Sequence, residues 1–559
     1  MIIKKNKHNF QTLTDVCLYN LGVKSTDEIN KWAIKHYNNQ YHIHNLDEVA
    51  SYVLESFKDK KVLIVGDYDV DGITATSILM LSLKAYGFTH VSYRIPKRMT
   101  EGYGISETII DEAIEHSIDL IITVDNGIAA IEPIKKAKEH GMSVVVLDHH
   151  MPAVIDGKNV FPDADFIVDP EADTAVGNAE LNDFDGYCGA GLAYRFAREF
   201  ITDKILLNQY LTLATLGTIC DSMPLRQENY IMVRNGLKKM LYSTYCTSGL
   251  YALLSAFGLN DKVQEDDIGF KIGPALNAPS RLLDEGSTKS IELLTFTGDI
   301  FEAQNRATAL QQYNKERQAL SEAGVNSAED IIFAENHTDL APIIVYLPNI
   351  GEGIIGIIAG QITSKYKMPC IIFSDCDEDT SLLKGSGRAP DGYDLKSHLD
   401  TCVDHIYKYG GHPGAAGVTI KREELDNFKK AMLDCSRDFV PVDDAELVYD
   451  IEIQSKDVEN SEKIIDAFAP FGQMNKKPIV KVLDFKVEYN RYKDAYYDVI
   501  LGKHMKYTNK SITALGFNLV NSSPIVVKPE ILELVGTLSR NYYKGKITNQ
   551  IIYENATIA

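Results

Sequence analysis

Three apolar stretches in the first 150 residues each run directly into acidic or imidazole side chains. KVLIVG leads into Asp67, Tyr68, Asp69, Val70, Asp71 and Gly72; DLIITV leads into Asp125, Asn126 and Gly127; SVVVL leads into Asp148, His149 and His150. Short, continuous apolar runs rich in Val and Ile read as strands. In an open parallel sheet, ligands bind at the carboxyl ends of the strands, so the three polar tips converge on one crevice. Carboxylates and imidazoles gathered there form a candidate site for two divalent metal ions.

A chain of 559 residues is too long for one core and predicts about three or four domains. Apolar residues at 45% and charged residues at 24% are globular values, so no disordered or fibrous class applies. The longest apolar runs, such as GIIGIIAG at 353–360, fall short of the roughly 20 residues that span a bilayer. MIIKKNK at the N-terminus is followed by no apolar stretch, so a secretory signal is not expected and the cytoplasm is. The eight cysteines form no C-x-x-C pair and read as reduced thiols, not as a disulfide frame or a zinc knuckle.

The net charge of −21 argues against a protein that coats nucleic acid nonspecifically. Its distribution is uneven, however: residues 473–510 carry nine Lys plus Arg against four Asp plus Glu. These are interleaved with Tyr489, Tyr492, Tyr496, Tyr497 and Tyr507. Such a segment can follow a phosphate backbone while stacking bases, or it can be a solvated sheet with tyrosines packed on one face.

The pattern predicts an α/β protein in five parts. Residues 1–58 read as a polar, helical cap. Residues 59–284 alternate strand-like runs with helical stretches near 73–87, 106–117 and 129–140, the pattern of βαβ units and a mainly parallel sheet. A long polar helix over 285–325 connects this domain to a second α/β unit at 326–437, which contains APIIVYL, PCIIFS and a glycine-rich stretch. From 438 to 559, short alternating runs predict a small β-rich sheet or barrel.

Taken singly, each tip has a second reading. Asp67, Asp69 and Asp71 precede a turn at Gly72, where an aspartate also serves as a helix cap, and Asp125 can cap the segment after Gly127. Asp148 followed by two histidines is the sharper signal. Asp221 ends an apolar helix, LATLGTICD, just before a proline turn. Oxygen donors suit Mg²⁺ or Mn²⁺, and added imidazole shifts the preference toward a transition ion.

The segments GDYDVDG, TVDNG, LDHH and CDSMPL resemble, in order and spacing, the four motifs of the DHH phosphoesterase superfamily. The rest of the chain resembles its RecJ branch, exonucleases specific for single-stranded DNA. The resemblance rests on Asp221, Pro224, Leu225, Glu228 and Asn229, on EGYG at 101–104 preceded by Arg98, and on LNAPSR at 276–281. GSGR at 385–388 and GGHPGAAG at 410–417 resemble the associated DHHA1 domain, and the last 27 residues or so resemble the closing strands of an oligonucleotide-binding (OB) domain. Four positions depart from the RecJ pattern: Tyr230 stands where that branch has arginine, Ser280 precedes Arg281 where it has glycine, and Ile350 and Gly351 replace a tryptophan-histidine pair.

The resemblance implies a DHH domain, a connecting helix, a DHHA1 domain and a C-terminal OB-like domain. It implies that Asp69, Asp71, Asp125, His149 and Asp221 hold two Mn²⁺ or Mg²⁺ ions, with Asp67 a further ligand, and that His150 contacts the scissile phosphate. Arg98, Asn277, Arg281, Ser386 and Arg388 would bind the 5′-phosphate and DNA, with His412 adding a contact. The implied activity is 5′-to-3′ hydrolysis of single-stranded DNA to mononucleotides in repair and recombination, by a monomer whose candidate partners are a single-strand-binding protein and a helicase. A DHH phosphodiesterase for short oligonucleotides or cyclic dinucleotides and a noncatalytic replication scaffold are the competing readings.

Overall fold

The structure, a computed structural model, describes residues 2–335, 341–377, 379–441, 446–489, 495–500, 504–509, 512–517, 519, 530–543 and 546–558. The three apolar runs form the centre of a five-stranded, all-parallel sheet. Its order is Val91–Arg94, Val62–Val65, Leu120–Val124, Ser143–Leu147 and Phe166–Val168. Val62, Ile64, Leu120, Ile122 and Val145 face one core, and Val65, Ile121, Val144 and Val146 face another, so both faces are covered by helices. This double burial is what the unbroken apolar runs encode.

The helices on these faces begin where the polar tips end. Asp69 caps Val70–Tyr86 with its side chain, accepting from the N–H groups of Asp71 and Gly72. The apolar helix Lys204–Cys220 packs beside it and ends at Asp221. The connection to the second lobe is a short helix, Ser287–Leu294, then one of 35 residues, Ile300–Ala334, about 50 Å long at 1.5 Å per residue. Ala303, Ala307 and Leu310 of that helix pack into the first domain, and Ala328 and Ile332 into the second.

The second lobe carries a five-stranded sheet in the order Lys408–His412, Ala415–Lys421, Leu382–Arg388, Cys370–Asp375, Ile343–Tyr346, with only the last pair parallel. The C-terminal unit is a seven-stranded sheet that includes the long hairpin Ile531–Tyr543 and Lys546–Ile558. Among the described residues no helix is long and apolar enough to cross a membrane. All eight cysteines are free, six of them buried.

The cap expected over residues 1–58 is divided between two domains. Ile2–Lys5 pairs in parallel with Glu446–Tyr449, and Leu13, Val16, Cys17 and Leu21 pack into the C-terminal core with Phe485 and Leu534. Only the later part, from Tyr41 through Val49 and Val53 to Phe57, joins the DHH core. An apolar helix face shows that a partner exists, not which one, and here the partner lies more than 400 residues away. The tyrosine-rich segment follows the second of its two readings, tyrosines packed on one face of a sheet. Tyr507 is buried against Tyr553 at 6.0 Å, and Tyr496 and Tyr497 pack at the edge of the same core, so these rings serve the sheet interior; Tyr489 is exposed, and Tyr492 lies outside the described residues.

Candidate metal centre and phosphate pocket

The strand tips and the end of the helix Lys204–Cys220 bring five carboxylates and two imidazoles together. Three groups offer ligand atoms within 4.8 Å of one another: Asp67, Asp69 and Asp125; Asp71, His149 and Asp221; and Asp125, His149 and His150. His149 stands at the hub, its Nε2 3.0 Å from Asp125 Oδ1, 3.6 Å from Asp221 Oδ2 and 3.7 Å from Asp71 Oδ2. Asp71 is fixed from behind by the start of the helix Gly189–Arg198, whose Gly189 and Ala190 N–H groups donate to it at 2.6 and 3.0 Å. Asp125 has the left-handed backbone, φ 62°, that turns its side chain inward.

These carboxylates repel one another. Burial and then the facing Asp69 push Asp67 well above the usual carboxylate range, and burial with Asp71 does the same to Asp125. Burial and Asp71 carry Asp221 up to about 8. Asp67 Oδ1 is buried and has no hydrogen-bond donor. An oxygen-rich set with one or two imidazoles and an unsatisfied buried oxygen fits Mn²⁺ or Mg²⁺, which would supply the missing positive charge.

Asp148 has a different task. It accepts from the N–H of Ile128 at 2.9 Å and from the N–H of His149 at 2.8 Å, and lies 2.8 Å from Nδ1 of His150. Burial alone would raise its carboxyl, but the bond to His150 holds it below its ordinary value. Tyr103, from the EGYG segment, donates to the Asp125 carbonyl at 2.7 Å and reaches His150 Nδ1 at 3.0 Å. His150 is thus oriented from two sides, with its ring at the open edge of the cluster.

Gly189 is the closest packing point of the centre. A Cβ there would lie 2.6 Å from Asp125 Cβ and 3.0 Å from Asp71 Oδ2. Gly189→Ala is therefore expected to spread the two carboxylates and weaken Mn²⁺ binding by about tenfold or more, at a cost of roughly 1–3 kcal/mol in stability. Isothermal titration with Mn²⁺ checks the first effect and a thermal melt the second.

A second cluster, of opposite sign, lies across the domain junction. Arg98 is stacked over the Tyr68 ring at 4.4 Å, and its Nη1 is buried without an acceptor. Arg281 donates to the Gly353 carbonyl at 3.2 Å, and Arg388 to Ser386 Oγ at 3.2 Å. Burial, then the charges of Arg98, Arg317 and Arg388, brings Arg281 down to about 9. Arg317, from the long connecting helix, is the member that sequence reading missed, because nothing distinguishes it from the other polar residues of that helix. Asn277 Oδ1 is buried nearby without a donor.

In Leu382–Arg388, Lys384, Ser386 and Arg388 share one face and Leu383 lies on the other. Lys384 bridges the lobes, donating to the Met99 carbonyl at 2.8 Å and pairing with Glu352 at 2.7 Å. His412 lies two strands from Arg388, about 10 Å, with Ala415 paired to both, so the two side chains share a face. The hydrogen bond it makes is with Gly414 inside its own hairpin. The glycine-rich stretch is therefore the sheet-edge hairpin Lys408–His412 and Ala415–Lys421.

Comparison with known proteins agrees with this architecture. The model for the DHH family, N-terminal domain, matches residues 61–218; the DHHA1 domain matches 341–438, and the RecJ OB domain 449–555. The single-stranded-DNA-specific exonuclease RecJ of Bacillus subtilis (strain 168) is 30% identical over 99% of this chain and 67% of its own length. That of Haemophilus influenzae is 32% identical over 73% of this chain and 71% of its own. The chain belongs to the RecJ family. The crystal structure of RecJ from Thermus thermophilus in complex with Mn²⁺ has 26% sequence identity and a TM-score of 0.73, covering 92% of this chain and 72% of that one. That RecJ structure carries the ion which the carboxylate cluster here suits.

Proposed function

We propose that this RecJ family member is a divalent-metal-dependent exonuclease that degrades single-stranded DNA from the 5′ end and releases 5′-mononucleotides. The observation that carries the reading is the pairing of two clusters of opposite sign, each short of its counter-charge: carboxylates raised by burial and then by mutual repulsion, and the Arg281 guanidinium lowered by burial and then by the charges of its neighbours. A phosphodiester chain held with divalent ions satisfies both.

In this reading Asp67, Asp69, Asp71, Asp125, His149 and Asp221 hold two ions. When bound, such ions lower the pKa of a water and neutralise the oxygens of the scissile phosphodiester. The chain's own residues do the rest. Gly189 and Ala190 hold Asp71 in place, and Asp148 with Tyr103 aims His150 at the scissile phosphate, where a fixed donor stabilises developing charge. Arg98, Asn277, Arg281, Ser386 and Arg388 take the terminal 5′-phosphate, because guanidinium forks bind phosphate bidentately. A fixed end-pocket next to a fixed metal centre sets polarity by length. His412 adds a contact from the same sheet face, two strands away.

Repair and recombination in the cytoplasm, as a monomer supplied by a helicase and a single-strand-binding protein, is the setting that fits this activity. The test is a comparison of strands with and without a 5′-phosphate. Arg388→Ala is expected to lose about 10- to 100-fold in kcat/KM on the phosphorylated strand, one or two charge-assisted hydrogen bonds' worth, and little on the 5′-hydroxyl strand. Equal losses on both strands would remove the 5′-phosphate from the pocket.

A further inference from the structure

Next to the metal centre, between the DHH domain, the long helix and the C-terminal unit, lies a cavity of about 510 Å³. Ser222, Phe270, Asn277, Arg281, Arg317 and Phe471 are among its walls. Phe270 is 78% exposed there, the most exposed large apolar side chain among the described residues. It stands on a single π-helical turn, Ile268–Ile272, between Glu265–Asp267 and the helix Gly273–Leu282. Turns of this kind inside a helix are rare and concentrate at functional sites. Ile268 and Ile272 are fully buried, so the turn is anchored on both sides while its middle residue is pushed outward.

The turn is also in register with the metal centre. A Cβ at Gly273 would lie 2.5 Å from Cys220 Sγ, so the two backbones approach closely at the residue before Asp221. On the far side, Glu265 is buried and accepts from the Phe471 N–H at 3.1 Å, fixing the wall that the C-terminal unit contributes.

We propose that Phe270 is a stacking platform for one base of the bound strand, on the stretch between the metal centre and the OB domain. This rests on the single-strand reading above. An exposed phenyl ring in the wall of a cavity that Arg317 also lines offers one surface for a base, with a charge in the same cavity for a phosphate. Stacking accepts every base, because each has a π-face, which suits an enzyme that must pass any sequence. Because Phe270 lies outside the core, its replacement leaves the fold intact.

Equilibrium binding and cleavage are measured with 5′-phosphorylated single strands, intact or carrying one abasic residue at successive positions from the 5′ end. Phe270→Ala is expected to weaken binding of the intact strand and raise KM by about tenfold, and Phe270→Trp to restore both. At one position the abasic residue should cost the wild type the same factor and cost Phe270→Ala nothing further. Wild-type affinity in Phe270→Ala, or losses that add in full at every position, would overturn the proposal, as would a lost affinity that tryptophan does not recover. Wild-type protein that binds the strand but leaves it undegraded would count against the nuclease reading alone; wild-type protein that binds no strand overturns both.

Discussion

Asp125→Asn is expected to reduce phosphodiester hydrolysis by about a thousandfold or more while raising the melting temperature of the metal-free protein. The two effects have one cause. Asp125 is 3% exposed and faces Asp71, Asp69 and Asp67, which with burial push its carboxyl well above the normal range. Without ions, folding must hold these carboxylates together against their repulsion, and an amide of the same shape relieves part of that cost. With ions, the same carboxylate would be one of the groups that hold them, and its loss would remove charge where the reaction needs it. Adding Mn²⁺ should therefore raise the wild-type melting temperature, as any ligand of the folded state does, and raise that of Asp125→Asn much less. A variant that still hydrolyses at the wild-type rate, or that melts below wild type without metal, would show that Asp125 serves packing instead.

Glu228→Ala is expected to be the most destabilising single change outside the metal centre, by about 3–5 kcal/mol. Glu228 is fully buried and paired with Arg195, itself 2% exposed, whose Nη1 donates at 2.7 and 2.8 Å. His36 Nδ1 lies 2.8 Å away, and Tyr187 donates to the second oxygen. Removing the carboxylate leaves the guanidinium buried without a counter-charge. Burial alone would raise Glu228, but Arg195 and then His36 hold it at about 2, against about 4.3 for a free glutamate. Its folded pKa is depressed, so its contribution is complete at neutral pH and is lost as pH falls from about 4 toward 2. Glu228→Gln, which keeps the shape but not the charge, should fall between Ala and wild type in a thermal melt. A melt of Glu228→Ala superimposed on wild type at pH 7 would refute the assignment.

The effect should reach the metal centre, because Glu228 and Asn229 tie together the segments that hold it. Through Tyr187, Glu228 anchors the turn that leads to Gly189, the donor to Asp71. Asn229 donates to the carbonyls of Gly186 and Pro224, the latter three residues after Asp221. In the sequence these two residues are legible only as part of a resemblance. The fold gives Glu228 its partner in Arg195, 33 residues earlier, and Asn229 its partners in the Gly186 and Pro224 carbonyls.

What the sequence reveals and what it hides divide along the same physical line. The strand tips were readable because a strand buried on both faces must be apolar throughout, and polar residues at its end stand out against it. Asp221 was readable for the same reason, at the end of an apolar helix. Arg317 was not, since one arginine in a polar helix carries no signal until the fold places it beside Arg281. Tyr103 lay within a noted segment, but its bond to the Asp125 carbonyl depends on a loop conformation that local sequence does not specify. The pairing of Ile2–Lys5 with Glu446–Tyr449 was hidden because short strands do not name their partners. In the C-terminal unit the tyrosines left two readings open, and alternation decides for packing: Tyr507 lies on the inner face of His504–Thr508, where it fills the core.

The central claim is that the carboxylate cluster and the arginine pocket form one site that removes nucleotides from a 5′ end. A single strand labelled at its 5′-phosphate, incubated with the protein and Mn²⁺ and sampled over time, tests it directly. The label is expected to leave at the earliest time points as a mononucleotide, and chelation with EDTA to stop its release. Label retained until the strand is almost consumed, label found in longer fragments, or release that continues in EDTA would contradict it.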